Sequence, residues 1–190
     1  MLYFYGIGFF YINMKVPNNT INQSLLLFLN HMQKHLPYLL PQYECMYHLG
    51  CRSIEAIERD RWEFVEDRFI VLRTSKKNNQ RIFKINDVPN SFLEYLNNEL
   101  LEDNSVTYQK LNYNFGKYFL YSHIYIGNKE SRLHLFRHNY VKLLIDKGFT
   151  SEEIRDKLGE KNQSSADIYI NSVFRTNPYS LDNLKLDSSS

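Results

Sequence analysis

The most unusual cluster of potentially catalytic or ligand-binding side chains in this sequence is His134-Leu-Phe-Arg137-His138. On a helix its three polar residues share one face, because residues three and four apart are neighbours. Three groups that can carry positive charge suit an anion, and a phosphate is the obvious one. Zinc is the competing interpretation, but the metalloprotease motif needs glutamate directly after the first histidine, where this chain has Leu135. No third ligand follows, so we predict no metal site; taken alone, the run could equally cap and pair within its helix.

Other groups capable of chemistry lie far from this run along the chain. They are Gly50-Cys51-Arg52 with Glu55, the lysines Lys76 and Lys77, Leu158-Gly159-Glu160, and Tyr169. Each has an ordinary interpretation by itself. Arg52 can pair with Glu55 at a helix end, and the two lysines can form a solvated turn. Tyr169 is one of 15 tyrosines, so only its position distinguishes it.

The order and spacing of these groups resemble the catalytic domain of the tyrosine recombinases, the phage-integrase family. The family's pattern is a Gly-x-Arg-x-x-Glu box, a lysine on a β-hairpin, a His-x-x-Arg box, a Leu-Gly-His turn and a tyrosine nucleophile. The matching positions are, in chain order, Gly50, Arg52 and Glu55, then Lys76 with Lys77 as the alternative, then His134, Arg137 and His138, then Leu158 and Gly159, and finally Tyr169. The resemblance runs from about residue 39 to residue 173, which is most of the chain.

The resemblance implies a reaction and a role for each residue. Tyr169 would attack a DNA phosphate, forming a 3′-phosphotyrosine and releasing a 5′-hydroxyl, while Arg52, His134 and Arg137 hold the phosphate. Lys76 would protonate the leaving oxygen. A 5′-hydroxyl of the partner strand then reverses the step, so no cofactor, metal or ATP is needed. We expect a site-specific recombinase or integrase that works as a homo-tetramer on double-stranded DNA.

One position departs from the family's pattern. Glu160 stands where the family usually has histidine, or sometimes tryptophan. A carboxylate is repelled by a nearby phosphate, by about 4 kcal/mol at ~4 Å and an effective dielectric near 20, unless it is protonated or points away. His138 is no replacement, because the family commonly has histidine there as well. Two alternatives therefore stay open: a catalytically silent relative that binds DNA or another recombinase, and a topoisomerase-like enzyme that nicks and reseals one duplex.

The elements that must position these groups are predicted by hydrophobic periodicity and by turn and cap residues. The predicted helices are 24–36, a stretch after Pro41 up to Gly50, one after Pro89 reaching Leu100, 106–121, 134–147 with Gly148 as left-handed cap, 150–159 with a Thr150/Glu153 capping box, and 168–173. The predicted strands are 62–64, 69–73 and 81–85, with residues 75–80 as a polar hairpin tip. Because the strands cluster rather than alternate with helices, the expected class is α+β, a mainly helical tyrosine-recombinase catalytic domain with a small antiparallel β-sheet.

The length and composition fit one folded domain with a real core. The chain has 190 residues, of which 43% are hydrophobic and 23% charged. We divide it into an N-terminal helical segment, 1–38, that packs on or leads into the domain, a catalytic domain, 39–176, and a polar tail, 177–190. Members of the family usually carry a further helical DNA-binding domain before the catalytic one. Without it, fewer phosphate contacts would make DNA binding weaker and less sensitive to salt.

The remaining composition excludes several classes of protein. A net charge of +2 neither demands nor excludes a nucleic-acid partner. Cys45 and Cys51 make neither a disulfide framework nor a zinc motif, which favours a reducing, cytoplasmic setting. The apolar stretch 1–14 is too short to cross a bilayer and lacks the features of a signal peptide, so we expect no membrane association. Frequent Asn, Lys, Ile and Tyr hint at a mobile element in an AT-rich genome.

Overall fold

The computed structural model of the chain describes residues 18–75, 79–98, 106–119 and 132–160. The α-helices in these ranges are α1 (Asn18–His35), α2 (Leu40–Leu49), α3 (Ser53–Ile57), α4 (Asn90–Asn97), α5 (Tyr108–Tyr118), α6 (His134–Asp146) and α7 (Ser151–Leu158). The strands are β1 (Trp62–Val65), β2 (Phe69–Arg73) and β3 (Gln80–Lys84). The predicted α+β class, a mainly helical domain with one small antiparallel sheet, is confirmed.

Most differences from the predicted boundaries have a simple cause. Helix α1 begins at Asn18 rather than at residue 24, because its first turns are polar apart from the buried Ile21 and give little periodic signal. Helix α3 was not predicted, since five residues are too few to show a period. The predicted helix 168–173 and residues 76–78 of the hairpin tip lie outside the described residues.

The sheet places one polar side chain among apolar ones. The strands pair antiparallel in the order β1-β2-β3, with Trp62 opposite Leu72 and Leu72 opposite Arg81. All three side chains are buried. The β1–β2 connection is a tight turn in which Glu66 and Asp67 have φ values of 52° and 50°, both in the left-handed region. The buried row therefore brings the Arg81 guanidinium into the interior.

The core surrounds α2, which packs against α1, α3, α4 and α6. Phe28 of α1 meets Tyr43 of α2 and Phe115 of α5 edge to face, with ring centroids 4.8 and 5.1 Å apart. The Tyr43 hydroxyl donates a hydrogen bond of 2.7 Å to the carbonyl of Leu111, and burial raises the pKa of Tyr43 above its usual value. These contacts hold the N-terminal half of α2 against α1 and α5. Helix α1 shares this core, while the division at residue 38 stays a prediction.

Helices α6 and α7 are connected as the cap residues predicted. Gly148 has a φ of +84°, and the chain then enters α7 through the Thr150/Glu153 capping box. The Thr150 N–H donates to a Glu153 carboxylate oxygen at 2.7 Å, and the Glu153 N–H donates to the Thr150 hydroxyl at 3.3 Å. Nowhere in the described ranges is a helix both long enough and apolar enough to span a bilayer.

Candidate active site

The candidate site forms where the C-terminal ends of α2 and α7 meet the first turns of α6. Gly50 ends α2 with a φ of +61°, a left-handed conformation that L side chains rarely adopt. A Cβ at this position would also overlap the ring of Tyr140 on α6. The chain can therefore leave α2 close against α6 only with glycine here, and this turn directs the next residues, Cys51 and Arg52, to the site.

Arg52 is held by the short helix that it precedes. Its backbone N–H donates to Glu55 Oε2 at 2.8 Å, and its Nη1 donates to Glu55 Oε1 at 2.9 Å. The same Oε1 accepts from the backbone N–H and the hydroxyl of Ser75, at 3.0 and 3.1 Å. Burial raises the pKa of Glu55, but the hydrogen bonds from Arg52 and Ser75 and the Arg52 charge outweigh it and hold the pKa below its usual range. The ordinary pairing expected for Arg52 and Glu55 is thus present, and it ties the start of α3 to the β2–β3 hairpin.

Arg137 reaches from the interior of α6 to both neighbouring helix ends. Its side chain is 1% exposed, which is unusual for an arginine. Nη1 donates to the Gly50 carbonyl at 2.7 Å, and Nη2 donates to the Leu158 carbonyl at 3.1 Å. These are carbonyls that a helix leaves unsatisfied at its C-terminal end. Arg137 therefore joins the ends of α2 and α7.

Glu160 lies between the two arginines, with its side chain 6% exposed. One oxygen, Oε1, accepts hydrogen bonds from Arg52 Nη2 and from Arg137 Nη2, the latter at 2.9 Å. The carboxylate thus points toward the two arginines that the family resemblance implies would hold a phosphate. Of the six candidate site residues, the structure brings these three together.

The other three candidate residues are placed less fully. His134 is the first residue of α6, half-buried and one turn before Arg137, so the two share a helix face. His138, one turn after His134, is buried. Lys76 and Tyr169 lie outside the described residues, although Ser75, the neighbour of Lys76, is held by Glu55. Across the described ranges, no group of three or more His, Cys, Asp or Glu side chains is arranged to hold a metal ion.

The solved structures that resemble this fold include two complexes of the XerH site-specific recombinase bound to difH substrate. The post-cleavage complex with palindromic difH superposes with a TM-score of 0.60 and 15% identity, over 82% of this chain and 49% of that chain. The pre-cleavage complex gives a TM-score of 0.58 and 16% identity, over 88% of this chain and 53% of that chain. The fold is that of the tyrosine recombinase catalytic domain. This chain spans about half the length of the XerH chains, and no family model and no curated protein matches it.

Within this recombinase fold, Arg81 is a site residue that the sequence analysis did not single out. It is 4% exposed, and its Nη2 donates to the Leu49 carbonyl at the end of α2 while Nη1 donates to Cys51 Sγ at 3.5 Å. Its side chain also packs on Gly159, where a Cβ would lie 2.8 Å from Arg81 Cγ. The signal was strand alternation, which puts residue 81 on the same face as Phe83 and hence toward the interior.

The charges of this buried cluster do not cancel. Among the described side chains, Arg52 and Arg137 pair with the carboxylates of Glu55 and Glu160, and Arg81 lies beside them against Cys51, which leaves one positive charge in excess. Excess buried positive charge favours an anion, and guanidinium groups that converge on one oxygen present the geometry that a phosphate oxygen prefers. The arrangement can therefore bind a phosphate and stabilise negative charge that develops on it.

Proposed function

We propose that this chain cleaves and rejoins DNA strands as a tyrosine-type site-specific recombinase, with Tyr169 as the nucleophile. The observation that carries the proposal is the convergence of Arg52 and Arg137, distant in sequence, on a single oxygen. In the proposed reaction that position belongs to a non-bridging oxygen of the scissile phosphate. Double-stranded DNA is the proposed partner, because the XerH structures of the same fold hold their difH substrate.

In the proposed mechanism the arginines neutralise charge while other groups move protons. Arg52 and Arg137, with His134, stabilise the charge that develops as the Tyr169 oxygen loses its proton to water and attacks phosphorus, which breaks the bond to the 5′-oxygen. Lys76 protonates the 5′-oxygen that leaves, and its hairpin is supported by the hydrogen bonds from Ser75 to Glu55. The phosphotyrosine conserves the energy of the phosphodiester bond, so rejoining requires no cofactor. Residues 39–176 form the proposed catalytic domain, and exchange between two duplexes calls for a homo-tetramer.

The test is covalent trapping on a nicked suicide DNA substrate, drawn from a library wide enough to contain the cognate site. We expect wild-type protein to form a protein–DNA adduct that survives denaturation, and Tyr169→Phe to form none. Tyr38→Phe is the matched control, since it removes the same hydroxyl from a side chain that is 53% exposed on the surface. Adduct formation by Tyr169→Phe at the wild-type level would refute the assignment of the nucleophile.

A second candidate function is a catalytically silent relative that binds DNA or another recombinase. Glu160 favours it, because its carboxylate is hydrogen-bonded to both arginines that a phosphate would need. The same experiment separates the two functions. Folded wild-type protein that binds the DNA library yet forms no adduct would favour the silent relative and contradict the recombinase.

A further inference from the structure

The Glu160 carboxylate is held as a bound anion would be held. Its Oε1 accepts from two guanidinium groups that come from different parts of the chain, Arg52 before α3 and Arg137 within α6. Both ion pairs are largely shielded from water, with side-chain exposures of 11%, 1% and 6% for Arg52, Arg137 and Glu160. Charge-assisted hydrogen bonds in such surroundings are strong, because little solvent screens them.

A carboxylate and a phosphate cannot share this position. An ionised carboxylate and a phosphodiester both lack donors, and both direct charged oxygens at the same guanidinium groups. A phosphate that approached Arg52 and Arg137 with Glu160 in place would meet a negative charge instead of an open pair of donors. Binding of an external phosphate and the internal ion pairs of Glu160 are therefore mutually exclusive.

The two arginines stay anchored when Glu160 leaves them. Arg137 retains its hydrogen bonds to the carbonyls of Gly50 and Leu158, and Arg52 retains its pairing with Glu55. An incoming phosphate thus meets donors that are already oriented, which lowers the ordering cost of binding.

The backbone beside Glu160 is fixed as well, which limits how the exchange can occur. The Glu160 N–H donates to the Arg155 carbonyl at 3.0 Å, and the Gly159 carbonyl accepts from Asn79 Nδ2 at 3.0 Å. Rotation about the side-chain bonds of Glu160 frees the arginines without breaking these contacts. A displacement confined to the Glu160 side chain thus leaves these backbone contacts in place.

We propose that Glu160 is a displaceable internal counter-ion that keeps the Arg52–Arg137 anion site closed, and that a phosphate binds only as this carboxylate leaves. The inference rests on the proposed function for identifying that phosphate as part of DNA. This role explains why a phosphate site can contain a glutamate at position 160. The carboxylate stabilises the buried arginines in the free protein and is displaced when the ligand binds. Glu160 is an autoinhibitory group in the resting state.

The test measures binding of inorganic phosphate by isothermal titration calorimetry, independently of any DNA sequence. We expect Glu160→Gln to lower the Kd for phosphate at least tenfold relative to wild type, because the amide keeps the shape and removes the charge. Glu152→Gln is the matched control, since it removes the same charge from an exposed position on α7 and leaves the Kd unchanged. Adding Arg52→Lys to Glu160→Gln abolishes the gain if phosphate binds between the arginines. Equal affinity of wild type and Glu160→Gln, or a gain that survives Arg52→Lys, would overturn the inference.

A second measurement covers the case in which Glu160→Gln does not fold. In wild-type protein labelled with ¹³C at glutamate side-chain carboxyls, the Glu160 signal is assigned by its loss in Glu160→Asp, which keeps the charge. We expect this signal to shift in proportion to phosphate bound. Saturation with phosphate while the signal stays in place would contradict displacement.

The two proposals fail in different ways. Tighter phosphate binding by Glu160→Gln with no DNA adduct from either protein would support the proposal that Glu160 is a displaceable counter-ion and would refute the proposal that the chain is a recombinase. An adduct that forms at the same rate in wild type and Glu160→Gln would support the recombinase and refute the closed site.

Discussion

Replacing Arg137 by methionine is the perturbation whose effect the structure defines best. The change removes two guanidinium hydrogen bonds to the carbonyls of Gly50 and Leu158, and one ion pair to Glu160. Methionine fills similar space without charge, so the effect isolates the polar contacts. Removing one partner of a buried ion pair costs about 3–5 kcal/mol, because the other charge stays buried. Because Arg52 still pairs with Glu160, we expect a loss of unfolding free energy near the lower end of this range, at about 3 kcal/mol.

The assay is urea unfolding followed by the fluorescence of Trp62, which is the only tryptophan and is buried against the sheet and α4. A loss of about 3 kcal/mol is a large part of a total stability of roughly 5–15 kcal/mol, so the midpoint shift is measurable. Arg73→Met is the matched control, because its ion pair with Glu63 is more than half exposed and contributes about 0.5 kcal/mol. The double variant Arg137→Met/Glu160→Met should recover part of the lost unfolding free energy, because it leaves no Glu160 carboxylate buried without Arg137. If Arg137→Met cost no more than Arg73→Met, the reasoning about the buried pair would be refuted.

Two further predictions concern residues that support the site. Gly50→Ala should lower the melting temperature more than Gly148→Ala. Both glycines have positive φ, which costs an alanine about 1–2 kcal/mol, but of the two only Gly50 also lies against a ring, that of Tyr140. Equal shifts of the melting temperature would show that the contact with the ring is relieved at no cost. The folded-state pKa of Glu55 lies below its ordinary value of 4.5, so its contribution is present above that value and is lost as the pH falls through the folded pKa. The difference in unfolding free energy between wild type and Glu55→Gln should therefore shrink on acidification below about pH 4.5, and a difference that grew instead would contradict the sign.

The sequence predicted the architecture well because its signals are local. Apolar spacing marked the helices, and the short aromatic and β-branched runs at 69–73 and 81–85, separated by polar turns, marked the paired strands. The capping box at Thr150 and the left-handed Gly148 depend on residues only a few positions apart. Helix α3 escaped prediction because it is a single turn and a half, held by the contact of Glu55 with the backbone of Arg52 rather than by a repeating pattern.

The site was predictable only as a set of residue types. Motif order identified Arg52, Arg137 and Glu160. Their mutual contacts join positions far apart in the chain, and no local sequence pattern predicts contacts between such distant positions. Strand alternation points Arg81 inward but assigns it no partner, because its importance depends on the ends of α2 and α7 meeting beneath β3. Such convergence is a property of the packed core rather than of any one segment.

Glu160 illustrates how three-dimensional placement changes the meaning of a residue. From the sequence it is a negative charge near a phosphate, and hence a source of repulsion. In the fold it compensates two buried guanidinium groups, whose desolvation would otherwise be costly. A phosphodiester carries one negative charge, the same as the carboxylate, so exchanging one for the other leaves the charge balance of the buried cluster unchanged. The repulsion then acts only if both anions occupy the site together, and displacement of the side chain avoids that state.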